Sequence, residues 1–217
     1  MIGFVVAMNK EARLLLDNAE IKQKYSVAGK TIYEGTLWGK DFALILAGIG
    51  KVNAAMSTQI LIDKYSELAT IINFGLAGGK EGSGLTAGDI VCVKECCQYD
   101  FDLSELDPVN IGYMQDYNLT YYPLTASDKF PIVRCATADR FTSKKMFLDI
   151  VTELKCDITD MECGAIAQVC FANKMSLTSI KLISDVDGNS ASIFEQYCNN
   201  ATEICSKIPD AIKTIIA

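Results

Sequence analysis

The sequence predicts an α/β protein: a three-layer α/β/α sandwich around a mixed, mostly parallel central sheet. Two observations lead there. Short β-rich apolar runs alternate with amphipathic stretches of helical period along most of the chain. Half of the 217 residues are hydrophobic and 22% are charged, which supplies a sizeable core and an ordinary soluble surface. With no internal repeat, low-complexity tract or linker, residues 1–217 read as a single domain.

The elements follow in order. "IGFVVAM" is a short strand, and "NKEARLLLDNA" after it has the spacing of an amphipathic helix. "KTIYEGTLWGKDFALILAG" reads as two strands joined by a turn at Gly39–Lys40, the first alternating as a half-exposed strand does. "GKVNAAMSTQILIDKYS" is a helix with small and apolar residues on one face. "ATIINFGLAGG" is a buried strand ending in glycines, and "GDIVCVKECCQYDFD" is another strand. Leu103 to Lys129, rich in Tyr, Asp and Asn, reads as a loop or lid. Then come "FPIVRCATAD" (strand), "SKKMFLDIVTEL" (helix), "CDITDME" (strand), "CGAIAQVCFANKM" (helix) and "SLTSIKLISDV" (strand). "SASIFEQYCNNATEICSKIPDAIKTIIA" supplies a closing helix, interrupted at Pro209.

Composition excludes several classes of function. The net charge is −7 with no basic run, which argues against nucleic acid or an anionic membrane as the partner. The longest apolar runs fall short of the roughly 20 residues that span a bilayer. "MIGFVVAMNKEARLL" lacks a basic leading region and is not expected to be a signal peptide, so a cytoplasmic location is expected. The nine cysteines are scattered, mostly in apolar settings, and read as reduced buried thiols. No CxxC pair exists, and neither a metal nor an organic cofactor is expected. Histidine is absent, which removes every imidazole-based mechanism and leaves carboxylates, Lys, Tyr or Cys for acid–base work.

In an α/β sandwich ligands bind beyond the carboxyl ends of the strands. Those ends supply Ala7, Met8 and Glu11; "GIGK" from Gly48 to Lys51; "NFGLAGG"; Asp139, Arg140 and Phe141; Met161 and Glu162; and Ser184 with Asp185. Each has a plain alternative: Glu11 as a first-turn acid on a helix dipole, the glycines as tight turns or close approaches, Phe141 as core, "SDVDGN" as a cap and turn. In "TDMECGAIAQ" the acids Asp160 and Glu162 stand at the mouth of an apolar segment, either as a capped strand end or as a carboxylate aimed into a pocket.

Taken in order, "VAMNKEARLL", "AGIGKVNAA", "INFGLAGG", "AGDIV", "TADRF", "DMECGAIAQV" and "LISDVDG" resemble the nucleoside phosphorylase/hydrolase superfamily, and within it the methylthioadenosine/S-adenosylhomocysteine nucleosidases. The resemblance runs from Met1 to about Gln196 and is weakest over Leu103 to Lys129. It implies that Glu11 activates the attacking water and that Asp185, oriented by Ser184, protonates the purine at N7. It implies that Glu162 holds the ribose hydroxyls while Met161 packs on the sugar. Phe141 would stack on adenine, the backbone near Thr142 would read its edge, and Met8 and Ile49 would line the pocket. Cleaving an N-glycosidic bond needs this distribution: a protonated carboxyl for the leaving purine, a carboxylate for water, and negative charge near the oxocarbenium-like sugar.

Asn73 stands where phosphorylases of the superfamily carry a phosphate-binding arginine, which favours water as the nucleophile. The chain departs from the nucleosidase pattern at Leu76 (usually serine), Asp160 (usually glutamate), Lys181 (usually arginine) and "YDFD" at Tyr99 to Asp102. The expected function is hydrolysis of methylthioadenosine, S-adenosylhomocysteine or a related adenine nucleoside. The alternatives are a futalosine-type hydrolase, a phosphorylase, or a non-catalytic nucleoside-binding relative. The resemblance also implies a homodimer.

Overall fold

The computed structural model describes residues 1–106, 109–142, 145–186 and 205–217. Strands β1 (Ile2–Val6), β4 (Lys40–Leu46) and β5 (Thr70–Gly79) form the parallel centre of one ten-stranded mixed sheet, with β1 between the other two. β2 (Ala19–Val27) and β3 (Lys30–Leu37) extend it antiparallel beyond β4. On the other side, β10 (Leu177–Val186) runs parallel to β5, β6 (Ile90–Gln98) antiparallel to β10, and β8 (Ile132–Thr137) parallel to β6. β9 (Ile158–Asp160) lies parallel to β8 and returns to pair antiparallel with β5. The strands β5, β10, β6, β8 and β9 therefore close a small barrel at one end of an open sheet. The two-residue β7 (Tyr122–Pro123) adds to the outside of β6.

Alternation along the central strands sorts side chains into two layers. On one face Phe4, Val6, Phe42, Leu44, Ile72 and Phe74 meet helices α1 (Asn9–Leu16) and α5 (Ile208–Ile216). The Phe4 ring packs edge-on against both Phe42 and Phe74, at centroid distances of 6.0 Å. On the other face Val5, Ala43, Ile45 and Ile71 meet α2 (Lys51–Lys64) and α4 (Cys163–Ala172). The small α2 residues Ala54, Ser57 and Thr58 let that helix lie close to the sheet. α3 (Lys145–Glu153) covers the outside of the barrel through Val151, against Cys97, Tyr99 and Ala136. The three layers and the parallel centre agree with the sequence reading.

Two details differ from it. β2 is absent from the sequence reading: it is a charged edge strand exposed along most of its length, with only Ala19, Tyr25 and Val27 packing against the core. The turn between β3 and β4 falls on Trp38–Gly39, both with positive φ (48° and 77°), the conformation a two-residue hairpin needs; Lys40 already belongs to β4. Pro209 sits in the first turn of α5, just after a turn at residues 206–207 that follows the helical Cys205, in keeping with the break expected at Pro209. The rest of the expected closing helix, residues 190–204, and the end of "SDVDGN" lie outside the described residues. Among its described residues the 103–129 segment is mostly irregular, as expected, with β7, a 3-10 turn at Gln115–Tyr117 and an isolated bridge between Met114 and Leu119. The eight described cysteines are buried and unpaired; Cys198 lies outside the described residues. No described helix is long and apolar enough to cross a membrane.

Candidate active site

The site arises where β5 changes partners. It pairs with β1 only as far as Asn73 and meets β9 only from Gly78, so its edge between these points is open. The chain leaving β1 brings Met8 and Glu11 to this gap, and the chain leaving β9 brings Met161 and Glu162. β10, on the other side of β5, ends there with Ser184 and Asp185. The result is a cavity of about 330 Å³, the size of a small-molecule site. All nine site residues expected from the sequence line it: Met8, Glu11, Ile49, Phe141, Thr142, Met161, Glu162, Ser184 and Asp185. The cavity also takes in Lys10, Leu76, Arg140 and Thr159, of which Lys10 and Thr159 gave no sequence signal.

Glu11 is both the helix-start acid and a cavity wall. Its Oε2 accepts from the Met8 backbone N–H at 3.0 Å, closing the first turn of α1, and its Oε1 accepts from the Leu76 N–H on the open edge of β5 at 3.1 Å. Burial pushes its carboxyl up; the two N–H donors and the charges of Lys181 and Lys10 oppose this without cancelling it. Each oxygen keeps a lone pair for a further donor. Gly75 makes the fit possible, because a Cβ there would stand 2.9 Å from Glu11 Oε1. Gly75→Ala is therefore expected to cut activity at least tenfold by displacing Glu11, at an overpacking cost of about 1–3 kcal/mol. Steady-state rates and a urea titration check both; unchanged rates would show that Glu11 is not held in this way.

On β10, burial also raises the Asp185 carboxyl, and the hydroxyl of Ser184 donates to Asp185 Oδ1 and opposes the rise. Glu162 is raised as well. Its carboxyl is pushed up to about 7 by burial and then by Asp160, while Lys181 and the Gly50 N–H, which donates to Oε1 at 2.9 Å, hold it down. Phe141 is 51% exposed and faces the cavity, so it is not a core residue. Thr142 is fixed by its hydroxyl, 2.6 Å from that of Tyr99.

Two of the departures noted in the sequence turn out to be partners. Lys181 Nζ lies 2.8 Å from Asp160 Oδ2 inside the barrel, both side chains out of contact with solvent. Asp160 also accepts from Thr137 Oγ1 (2.6 Å), the Cys163 N–H (2.8 Å) and Cys135 Sγ (3.4 Å). Asp160 thus pins the turn that presents Met161 and Glu162. Cys135, Asp160 and Cys163 bring ligand-type atoms within 4.8 Å of one another, but a metal ion there would have to displace the Lys181 ammonium from the same carboxylate.

Comparison with known proteins shows the family and the fold. The family model described as the phosphorylase superfamily matches residues 1–217. A 5'-methylthioadenosine/S-adenosylhomocysteine nucleosidase of Oceanobacillus iheyensis is 33% identical over 217 aligned residues, covering 92% of this chain and 93% of the relative. The crystal structure of such a nucleosidase from Colwellia psychrerythraea in complex with adenine superposes with a TM-score of 0.80 at 27% identity, covering 94% of this chain and 93% of the other. A futalosine hydrolase of Helicobacter pylori shares the fold, with a TM-score of 0.88 at 19% identity over 99% of this chain and 96% of that one.

Proposed function

The chain belongs to the phosphorylase superfamily, and from that premise we propose that it is a cytoplasmic purine nucleosidase hydrolysing 5'-methylthioadenosine, S-adenosylhomocysteine or a related adenine nucleoside. The observation that carries the proposal is the meeting of three buried or half-buried carboxylates, Glu11, Glu162 and Asp185, in one cavity with the exposed ring of Phe141. In this reading residues 1–217 act as one domain with no metal or organic cofactor.

The reaction divides among the acids by position. The adenine ring stacks on Phe141, next to Thr142, and protonated Asp185 gives its proton to N7, so the purine leaves neutral. Glu162 accepts from the ribose hydroxyls through charge-assisted hydrogen bonds, each worth about 1.5–3 kcal/mol, and places negative charge beside the developing cation. Met161 packs on the sugar, and Met8 and Ile49 line the rest of the cavity. Glu11, held by two N–H groups, takes the proton of the water that attacks the anomeric carbon. Its raised pKa keeps it a stronger base than an exposed carboxylate.

Water is favoured over phosphate as nucleophile. Asn73, at the position where a phosphate-binding arginine would stand, is buried and turned into the core, donating to Val5 O at 3.0 Å and accepting from Ser179 Oγ at 2.9 Å. Among the described residues the arginine at the cavity is Arg140, whose guanidinium lies over the Phe147 ring at 4.3 Å. Leu76 keeps the backbone contact to Glu11 while offering an apolar wall. A homodimer is part of the proposal: Ile49 at the cavity, with Val52 (78% exposed) and Met56 on the adjoining face of α2, forms an apolar surface suited to a second copy.

The test is a panel of nucleosides, a futalosine-type one included, assayed for base release with and without phosphate. Free adenine released from methylthioadenosine at a rate indifferent to phosphate is the expected result. Obligatory phosphate with a sugar 1-phosphate product would make the protein a phosphorylase, and binding without turnover a non-catalytic relative.

A further inference from the structure

The N-terminus of α2 has no side-chain cap of its own. Its first two free N–H groups go instead to carboxylates from distant strands: the Gly50 N–H to Glu162 at 2.9 Å, and the Lys51 N–H to Asp139 Oδ1 at 2.7 Å. The positive end of a helix dipole favours both. Behind them lies Asp100, just past β6. Its Oδ1 accepts from Lys51 Nζ at 2.6 Å and its Oδ2 from the Asp139 backbone N–H at 2.9 Å. Asp100, Lys51 and Asp139 therefore close a ring of three hydrogen bonds that ties the ends of β6 and β8 to the start of α2. The Lys51 and Asp100 side chains are only 18% and 9% exposed, so solvent weakens this pair less than a surface one.

The ring sits one peptide from the N–H that holds Glu162. Gly50 itself has little freedom: its φ of 98° is left-handed, and a Cβ there would stand 3.0 Å from Asp139 Oδ1. On its other side, Asp139 precedes Arg140, Phe141 and Thr142. We propose that Asp100 is a positioning residue for sugar recognition, fixing the Gly50 N–H against Glu162 through Lys51 and Asp139. Asp100 itself does not line the cavity. The inference rests on the sugar-binding role proposed above for Glu162.

A structural role alone would weaken every ligand alike, whereas action through Glu162 weakens only ligands carrying the hydroxyls it holds. The experiment therefore measures affinity in the Asp185→Asn background, where ligand is not consumed, for 5'-methylthioadenosine and for its 2',3'-dideoxy counterpart, with and without Asp100→Asn. The expected result is at least a tenfold loss of affinity for the ribonucleoside and less than a twofold change for the dideoxy compound. Lys51→Gln, which opens the same ring from the other side, is expected to repeat this pattern, and it decides the matter if Asp100→Asn does not fold. Equal losses for both compounds, or none, overturn the inference. Failure of the Asp185→Asn parent to bind any nucleoside would instead overturn the functional reading beneath it.

Discussion

Asp185→Asn is expected to lower the rate of base release by about 10²–10⁴-fold, the usual contribution of a general acid. Asparagine keeps the size of the side chain and still accepts the Ser184 hydroxyl, but it has no transferable proton. Nucleoside affinity should change little, because the proton moves in the transition state and not in the bound ground state. The pH dependence follows from the direction of the shift. Burial raises the Asp185 carboxyl, so its protonated form survives to higher pH than on an exposed aspartate, and activity falls as pH rises through that value. Glu11 must be ionised, so activity also falls as pH drops through its own raised value. Stability should move the other way from activity. The folded chain holds the Asp185 proton more tightly than the unfolded chain does, so ionised Asp185 opposes folding above its unfolded pKa. Asparagine removes that opposition, and the melting temperature at neutral pH should stay level or rise. A single-turnover rate within threefold of wild type would remove Asp185 from the mechanism.

Much of this site is visible in the sequence, because strand ends can be found from apolar runs and the fold places ligands at those ends. Glu11 and Asp185 each follow such a run; Glu162 follows the short, acid-bearing "CDITDM" and stands out only through the family resemblance. The contacts between segments are harder to see. The barrel closes because β9 returns to Gly78 and Gly79 and β10 reaches both β5 and β6, pairings across many tens of residues that no local pattern encodes. The Asp160–Lys181 pair depends on that closure, since its members lie on β9 and β10. The one available clue was that both positions depart from the nucleosidase pattern together. The ring of Asp100, Lys51 and Asp139 has no local signature for the same reason: each residue reads alone as an ordinary charge at an element's end. β2 is hard to see for the opposite reason: its middle, with Lys22 and Lys24, faces solvent, and it is placed chiefly by its pairing to β3.

Lys181→Met is expected to cost about 3–5 kcal/mol of folding stability, the penalty for leaving a buried charge without its partner. Burial alone would raise the Asp160 carboxyl, but Lys181, with Thr137 and the Cys163 N–H, outweighs it and holds Asp160 below the usual carboxylate range. Burial would likewise lower Lys181, and Asp160 above all raises it instead. The sign of the pH dependence distinguishes the two proteins. In the wild type, the depressed Asp160 contributes stability that is present above its unfolded pKa and lost as pH falls through the folded one. In Lys181→Met the remaining carboxylate is buried without a cation, its folded pKa rises, and the penalty grows with pH above the unfolded value. The two stability curves should therefore separate at neutral pH and converge in acid, as urea titrations at several pH values would reveal. Lys181→Met/Asp160→Asn should recover part of the loss, since a neutral amide oxygen still accepts from Thr137 or Cys163. A loss below about 1 kcal/mol for the single variant would show that the pair contributes no more than a surface ion pair. A folded Lys181→Met protein should also bind nucleoside poorly at a pH where Asp160 is still ionised. Lys181 is the cation that opposes the upward push of burial and Asp160 on Glu162, and without it Glu162 becomes more fully protonated near neutral pH. A protonated carboxyl forms no charge-assisted bonds to the sugar hydroxyls, so the buried pair sustains the fold and the charge of the site together.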